Sequence, residues 1–123
     1  MGADAGGAGE LIKDCLFCRI ARGEIPSDAV KQDDRYLAFR DINPQAPTHV
    51  LAIPREHVPS LNEVGSADLV GGLVLFAREV ARAEGLAERG YRVVLNTNAD
   101  GGQTVFHVHA HILGGRAMRW PPG

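Results

Sequence analysis

The sequence has little of what marks secreted or membrane proteins. It contains only two cysteines, Cys15 and Cys18, which lie too close together to build a disulfide framework. No stretch approaches the roughly 18 consecutive apolar residues of a transmembrane helix. The first residues lack the basic and apolar regions of a signal peptide. These absences predict a cytoplasmic protein with no membrane partner.

An excess of positive charge is missing as well. The 13 Lys and Arg residues face 15 Asp and Glu residues, which gives a formal net charge of -2 at pH 7. Proteins that wrap nucleic acid present a basic face, so nucleic acid is not an expected partner. A small anionic ligand is compatible with this balance, because a few local donors can hold a phosphate on an acidic protein.

The remaining composition suits one α+β domain. Hydrophobic residues make up 45% of the 123 residues, which is enough for a core. The Gly/Ala-rich residues 1–10 are predicted to be a disordered tail, and residues 11–123 a single domain. Strand patterns at 29–31, 36–39, 49–53, 91–96 and 104–113 predict a five-stranded, mainly antiparallel sheet. Two helices are expected to cover one face of this sheet.

Two segments have the hydrophobic spacing of helices. The first is short and runs from Asp14, a candidate N-cap, to Gly23. The second begins at Ser66 and has apolar residues at three- to four-residue spacing. Gly71 and Gly72 weaken that helix by about 1 kcal/mol each relative to Ala. Both are therefore expected where the helix approaches the sheet closely.

The strongest functional signal is a set of histidines at every second position. His107, His109 and His111 share one face of the last predicted strand, because strand side chains alternate between faces. The other face carries an apolar stripe for the core, formed by Phe106, Val108, Ala110 and Ile112. A one-residue slip of this strand would bury three imidazoles, so the alternation fixes its register.

Three interpretations of these histidines stay open on the residues alone. They can form a polar outer face that happens to use histidine. Neighbouring imidazoles, about 6.6 Å apart, could share a metal ion, although the outer pair at about 13 Å is too far apart. The third interpretation is nucleophilic catalysis, because a neutral imidazole with an ordinary pKa of about 6.5 is a competent nucleophile. His109 is then the nucleophile, and His111 donates a proton to the leaving group.

The polar segment 96–104 precedes the histidines and offers amide, hydroxyl and backbone N–H donors. Such donors suit a phosphate whose charge grows in the transition state. Asp100-Gly101-Gly102 within the segment is equally typical of an ordinary hairpin turn.

These residues resemble the histidine triad superfamily. His107-Val-His109-Ala-His111-Ile-Leu matches the His-x-His-x-His-apolar-apolar signature of that superfamily. Asp41-Ile-Asn-Pro-Gln-Ala-Pro-Thr-His49, Gly101-Gly-Gln-Thr and the ending Gly114-Gly-Arg-Ala-Met-Arg-Trp-Pro-Pro-Gly123 resemble its Hint branch, the nucleoside phosphoramidate hydrolases. The resemblance covers the chain from residue 15 onward. It implies a homodimer in which two sheets join into one ten-stranded sheet and a C-terminal tail spans the dimer.

The resemblance also implies an activity. This activity is hydrolysis of the P–N bond of purine nucleoside 5'-phosphoramidates, such as adenosine or guanosine 5'-monophosphoramidate, with no metal required for the chemistry. His109 would attack the α-phosphorus and form a nucleotidyl-histidine that water resolves, with His107, His111 and His49 as the other catalytic histidines. The alternatives are a dinucleoside polyphosphate hydrolase or nucleotidyl transferase with the same nucleophile, a nucleotide-binding regulatory module without turnover, and a zinc-dependent binding protein.

Further nucleotide contacts follow from the same resemblance. Asp41 would take the ribose hydroxyls, with Ile42 beside it. The phosphate would be surrounded by Asn96, Gln103 and Thr104, where Thr104 replaces the usual Ser of the family. The purine pocket would be lined by Leu16, Phe17, Ile20 and Phe39, each of which also has a plain core interpretation. Trp120 would reach the active site of the partner subunit.

The spacing Cys15-Leu-Phe-Cys18 is typical of a metal or redox site. A thioredoxin-like role would need a βαβ context, which is absent here. Some bacterial triad proteins that this chain resembles pair such cysteines with two histidines around zinc. The matching positions would be His49 and His107, which gives a closed structural Cys2His2 site. The alternative is two small core residues on a short buried helix. His57, between two prolines, is interpreted as a surface loop residue.

Overall fold

A computed structural model describes residues 14–123, which form a sheet with helical segments on both faces. The predicted tail over residues 1–10 lies outside the described residues. The elements are α1 Leu16–Ala21, β1 Ala29–Gln32, β2 Tyr36–Arg40, β3 Thr48–Pro54, a 3-10 turn Leu61–Glu63, α2 Ala67–Ala83, β4 Tyr91–Val94, α3 Asn98–Gly101 and β5 Ala110–Gly114. The α+β class is confirmed, with three helices described instead of two.

The five strands are ordered β1-β2-β3-β5-β4, and every neighbouring pair is antiparallel. This confirms the predicted five-stranded antiparallel sheet. His111 on β5 lies opposite Leu51 of β3 on one side and Val94 of β4 on the other. The third histidine of the cluster is therefore held in the interior of the sheet, while β1 and β4 are its edges.

The long helix α2 covers one face of the sheet. Ser66 caps it, because its hydroxyl accepts a hydrogen bond from the Leu69 N–H at 3.3 Å. The buried side chains of α2 are Leu69, Leu73, Phe76, Ala77, Val80 and Ala81. They pack with Ala38, Val50 and Ala52 of the sheet and with Val108, Ala110 and Ile112 of the last strand segment. This contact forms the larger of the two core clusters.

Gly72 lies where α2 crosses Tyr36. A Cβ atom at this position would overlap the Tyr36 hydroxyl, which donates a hydrogen bond to the Leu69 carbonyl at 2.9 Å. The close approach predicted for this glycine is confirmed. The same prediction is wrong for Gly71, since an added Cβ there would meet no atom of the described residues within 4 Å.

The opposite face carries α1 and a second core cluster of Phe17, Leu37, Phe39, Leu51 and Ile53. Leu51 and Ile53 alternate with Val50 and Ala52 on β3, so the two clusters lie on opposite faces. Phe17 of α1 packs edge-on against Phe39, with ring centroids 5.5 Å apart. The prediction that both helices cover the same face is therefore wrong.

The N-cap of α1 also differs from the prediction. Cys15, and not Asp14, caps the helix, because the Cys15 Sγ accepts the Cys18 N–H at 3.3 Å. Within residues 14–123, no helix combines the length and the apolar character that crossing a membrane requires.

The last strand is shorter than predicted. It begins at Ala110 instead of residue 104. The strand β4 ends at Val94 instead of residue 96, and the segment between the two predicted strands contains the short helix α3. Ahead of β5 the backbone is held by isolated bonds, such as the one from the Val108 N–H to the Val58 carbonyl at 2.7 Å. Phe106, predicted to lie in the core, is 37% exposed. The alternation of faces begins only at residue 107.

Candidate active site

A pocket of about 500 Å³ opens on the face of the sheet that carries α1. It brings together most of the side chains that the sequence predicted to contact a nucleotide. Those that line it are Leu16, Phe17, Ile20, Phe39, Asp41, Ile42, Thr104, His109 and His111. Ile25, Pro26 and Leu51 extend its apolar wall. One end of the pocket is therefore apolar, and imidazole and carboxylate groups stand on its polar wall.

His109 is fixed in one tautomer. Its Nδ1 lies 2.7 Å from the His107 carbonyl oxygen, and a carbonyl can only accept, so Nδ1 carries the hydrogen. The lone pair of the neutral ring is then on Nε2. Burial lowers the pKa of His109 below its ordinary value, although the hydrogen bond to the His107 carbonyl opposes this shift. At neutral pH His109 presents an uncharged nucleophilic nitrogen.

His111 and His49 form a hydrogen-bonded pair next to His109. His49 Nδ1 accepts the Gln45 N–H at 3.0 Å, so the hydrogen of the neutral ring is on Nε2. His49 Nε2 lies 2.9 Å from His111 Nδ1 and donates to it. His111 therefore carries its own hydrogen on Nε2. Its ring centroid is 5.0 Å from that of His109.

The electrostatic surroundings keep this pair uncharged. Burial, together with the neighbouring His109 and His49, lowers the pKa of His111 to about 4, while Asp41 acts in the opposite direction. Burial also lowers the pKa of His49, again opposed by Asp41. At neutral pH His111 is a neutral hydrogen-bond donor.

Asp41 stands at the junction of the pocket and the histidine pair. One carboxylate oxygen accepts the Asn43 N–H at 2.8 Å, and the other lies 3.4 Å from His49 Nε2. Arg116, in the C-terminal segment, donates to the Gln45 carbonyl at 3.1 Å. The loop between β2 and β3 is thus held to His49 on one side and to the C-terminal segment on the other.

Of the three residues predicted to surround the phosphate besides the histidines, Thr104 lines the pocket, and Asn96 and Gln103 do not. Thr104 is exposed and lines the pocket, whereas Asn96 is half-buried and lies outside the pocket lining. The Gln103 amide donates to the Pro59 and Val105 carbonyls at 2.8 and 3.1 Å, and its oxygen accepts the Asn98 N–H at 2.9 Å. Both amide hydrogens of Gln103 are therefore bonded to backbone.

Two predicted site residues are strongly exposed. Ile42 is fully exposed at the pocket rim, and Trp120 is 83% exposed outside the pocket. The guanidinium of Arg92 lies 5.9 Å from the centre of the Trp120 ring. Within a single subunit, Trp120 does not contribute to the pocket that contains His109.

The two cysteines meet two histidines behind the pocket. Donor atoms of Cys15, Cys18, His57 and His107 all lie within 4.8 Å of one another. His107 Nδ1 is 3.4 Å from Cys15 Sγ and 3.5 Å from Cys18 Sγ, and His57 Nδ1 is 3.3 Å from Cys18 Sγ. Sulfur and nitrogen ligands of a tetrahedral Zn²⁺ stand about 3.5 Å apart, given their usual bond lengths. The four donors therefore fit zinc.

His107 is oriented for this cluster. Its Nε2 donates to the Pro54 carbonyl at 2.7 Å, which leaves the lone pair on Nδ1, the atom that faces the sulfurs. Burial lowers the pKa of His107 to about 4, so the ring is neutral as a metal ligand must be. The backbone carbonyl of His107 accepts the hydrogen bond from His109 Nδ1, described above. This bond connects the cysteine–histidine cluster to His109.

The predicted zinc ligand set is corrected at one position. His49 lies in the separate group with Asp41 and His111, and His57 takes its place beside the cysteines. The interpretation of His57 as a surface loop residue is wrong, because this side chain is only 1% exposed. His49 lies on β3 and His57 follows the end of that strand. Their spacing from the cysteines along the chain could not show which of the two is the zinc ligand, because this depends on where each side chain lies in the fold.

Three further polar side chains line the pocket without having been predicted from the sequence: Ser27, Asp28 and Arg40. Arg40 ends β2 directly before Asp41, whereas the other two precede β1. The pairing of β1 with β2 brings the two segments together, and no local motif in the sequence marks them.

Known proteins match this chain in sequence and in fold over most of its length. The HIT domain family matches residues 22–118. The purine nucleoside phosphoramidase of Escherichia coli (strain K12) is 48% identical over 110 residues, which are 88% of this chain and 92% of that protein. The crystal structure of a HIT family hydrolase from Legionella pneumophila Philadelphia 1 is 54% identical with a TM-score of 0.86, covering 89% of this chain and 100% of that chain.

A zinc-bound histidine triad family protein from Mycobacterium smegmatis is 32% identical with a TM-score of 0.77, covering 84% of this chain and 76% of that chain. The family match, the relatives and the three alternating histidines agree over nearly the whole chain. The chain therefore belongs to the histidine triad (HIT) family and is similar to members of it that are named as hydrolases.

Proposed function

We propose that this HIT family hydrolase cleaves the P–N bond of purine nucleoside 5'-phosphoramidates, with adenosine and guanosine 5'-monophosphoramidate as its simplest substrates. The observation that carries the proposal is the bond from His109 Nδ1 to the His107 carbonyl, which leaves an uncharged Nε2 lone pair on a residue that lines the pocket. The similarity to a purine nucleoside phosphoramidase supports the choice of leaving group.

In the first step, Nε2 of His109 forms a bond to the α-phosphorus while the P–N bond breaks. The negative charge of the substrate raises the pKa of His111, and Asp41 acts in the same direction, so the ring takes up a proton from water and becomes an imidazolium when the substrate binds. His111 then gives a proton from Nε2 to the leaving amine. In the second step, water attacks phosphorus, the bond to His109 breaks, and His111 takes the proton of the water. The products are the amine and the nucleoside monophosphate.

The rest of the pocket would bind the nucleotide. Asp41 would accept the ribose hydroxyls with Ile42 beside it, and Thr104 would donate its hydroxyl to the phosphate. Asn96 would complete the phosphate contacts from the loop that follows β4. Gln103 would act by holding that loop through its three backbone bonds. The purine would lie among the apolar side chains of Leu16, Phe17, Ile20 and Phe39.

We further propose that two subunits associate through β4. This strand is an edge of the sheet, so a second β4 could continue the ladder and give a ten-stranded sheet. The exposed Trp120 would then reach the pocket of the partner subunit, which accounts for a large aromatic residue left in solvent.

A structural zinc ion at Cys15, Cys18, His57 and His107 is the third proposal. Zinc would supply a rigid crosslink there, joining α1, the segment after β3 and the segment before β5. The residues would hold the first turn of α1 and the His107 carbonyl in place. The chemistry at phosphorus uses none of these four donors.

Steady-state kinetics with an adenosine phosphoramidate and a diadenosine polyphosphate test the proposed activity. Release of AMP and free amine from the first substrate, at a kcat/KM well above that for the second, supports a phosphoramidase. The reverse order would favour a dinucleoside polyphosphate hydrolase or a nucleotidyl transferase with the same nucleophile. Nucleotide binding without turnover of either would indicate a regulatory module.

A further inference from the structure

The apolar pocket that contains His109 and His111 also has charged groups in its lining. Three charged side chains line it, namely Asp28, Arg40 and Asp41. Asp41 faces His49 and caps Asn43, as described above. The guanidinium of Arg40 is engaged by both carboxylate oxygens of Glu84, at 2.9 and 3.1 Å. Neither of these two side chains is therefore available to contact a purine edge.

Asp28 differs from both. Its carboxylate is 75% exposed and reaches Arg40 Nε only at 3.8 Å, beyond hydrogen-bond distance. Among residues 14–123, its carboxylate makes no hydrogen bond and no other ion pair. Its backbone is nevertheless fixed, because its carbonyl accepts the Arg40 N–H at 3.0 Å, next to Phe39 of the apolar wall. Asp28 is thus a charged acceptor with a fixed backbone and unused hydrogen-bonding capacity on the pocket rim.

We infer that Asp28 is a specificity-determining residue that favours guanine over adenine. This inference rests on the proposed purine nucleotide substrate. Guanine presents two donors side by side, N1–H and the 2-amino group, which match the two oxygens of a carboxylate. Adenine presents one donor, the 6-amino group, beside the N1 lone pair, which a carboxylate repels. An apolar slot alone discriminates poorly between the two bases, so the charged side chain at its rim sets the preference.

The expected preference is modest because the rim is open to water. A hydrogen bond to a charged group contributes more than one between neutral groups when it is protected from water, and much less when it is exposed. We expect GMP to bind about fivefold more tightly than AMP. Inosine 5'-monophosphate, which keeps N1–H but lacks the 2-amino group, binds with intermediate affinity.

Binding of GMP, AMP and inosine 5'-monophosphate, measured by calorimetry, tests the inference without relying on turnover. In Asp28→Asn the amide can accept from the 6-amino group of adenine and donate to its N1, so the GMP preference is lost or reversed. Asp28→Ala makes the two affinities equal. Asp34→Asn, which removes the same charge from an exposed turn outside the pocket, keeps the wild-type ratio.

Equal binding of GMP and AMP by the wild type, or an unchanged ratio in Asp28→Asn, would overturn the inference even if phosphoramidates are hydrolysed. An equal change of the ratio in Asp34→Asn would overturn it too, because the effect would then come from net charge. A preference for GMP that depends on Asp28, in a protein that hydrolyses no phosphoramidate, would support the inference and reject the proposed activity.

Discussion

Replacing His57 by alanine tests the proposed zinc ligands most directly. The structure places His57 Nδ1 3.3 Å from Cys18 Sγ, whereas His49 belongs to the group with Asp41 and His111. Structural zinc binding contributes about 10–16 kcal/mol from four ligands, so one ligand carries about 3 kcal/mol. His57→Ala is therefore expected to weaken zinc binding about 100-fold.

The assay combines metal analysis with thermal unfolding. Each protein is dialysed against one fixed free zinc concentration about 100-fold above the wild-type Kd, where binding stabilises the folded state by about 2.7 kcal/mol. A 100-fold weaker site keeps about 0.4 kcal/mol of this under the same conditions. The wild type is expected to contain one zinc and to lose stability with chelator, while His57→Ala contains substoichiometric zinc and responds little.

His49→Ala is the matched control, since it also removes a buried imidazole but should keep the zinc. Cys15→Ser is the second variant, because serine preserves the N-cap of α1 and removes only the thiolate. Zinc retained in both His57→Ala and Cys15→Ser, or lost in His49→Ala, would refute the assigned ligand set. A wild-type protein that binds no zinc would refute the site itself.

Three further predictions concern the nucleophile, the packing of α2 and the buried imidazoles. His109→Ala should lose more than about 10³-fold in rate and still bind nucleotide, as kinetics and calorimetry would show; a wild-type rate would contradict the covalent mechanism. Gly72→Ala should lower the free energy of unfolding in urea by about 1–3 kcal/mol through overlap with Tyr36, while Gly71→Ala should raise it by about 0.5–1 kcal/mol. Stability should fall as pH drops from about 6.5 towards 4, because the unfolded chain binds a proton that folded His111, with a pKa of about 4, does not. His111→Gln should flatten this pH dependence, and an equally steep fall in that variant would contradict the assignment.

The sequence predicted the parts of the molecule that depend on local pattern. Alternation placed His107, His109 and His111 on one face with Val108 and Ile112 on the other, because the side chains of an extended chain point in alternate directions whether or not a neighbour pairs with it. The same pattern could not show where pairing stops, and β5 begins only at Ala110. Strand length depends on the partner strands, which are distant in sequence.

Features that depend on tertiary contacts could not be predicted from the sequence for the same reason. His57 carries no local mark of a ligand, and only the approach of α1 brings two sulfurs to it. Gly71 and Gly72 look alike in the sequence, yet only one of them faces Tyr36. The cap of α1 depended on the side chain of Cys15, a residue type that is not among the usual N-caps.

Hydrogen bonds run from Arg116 to Gln45, from Gln45 to His49 and from His49 to His111, and they link the C-terminal segment to the protonation of His111. These three hydrogen bonds fix the hydrogen of His49 on Nε2, the atom that donates to His111. Loss of the Arg116 bond is therefore expected to change which nitrogen of His49 carries the hydrogen, and with it the protonation of His111, the proton donor of the proposed reaction. Changes at Arg116 should accordingly affect turnover more than affinity.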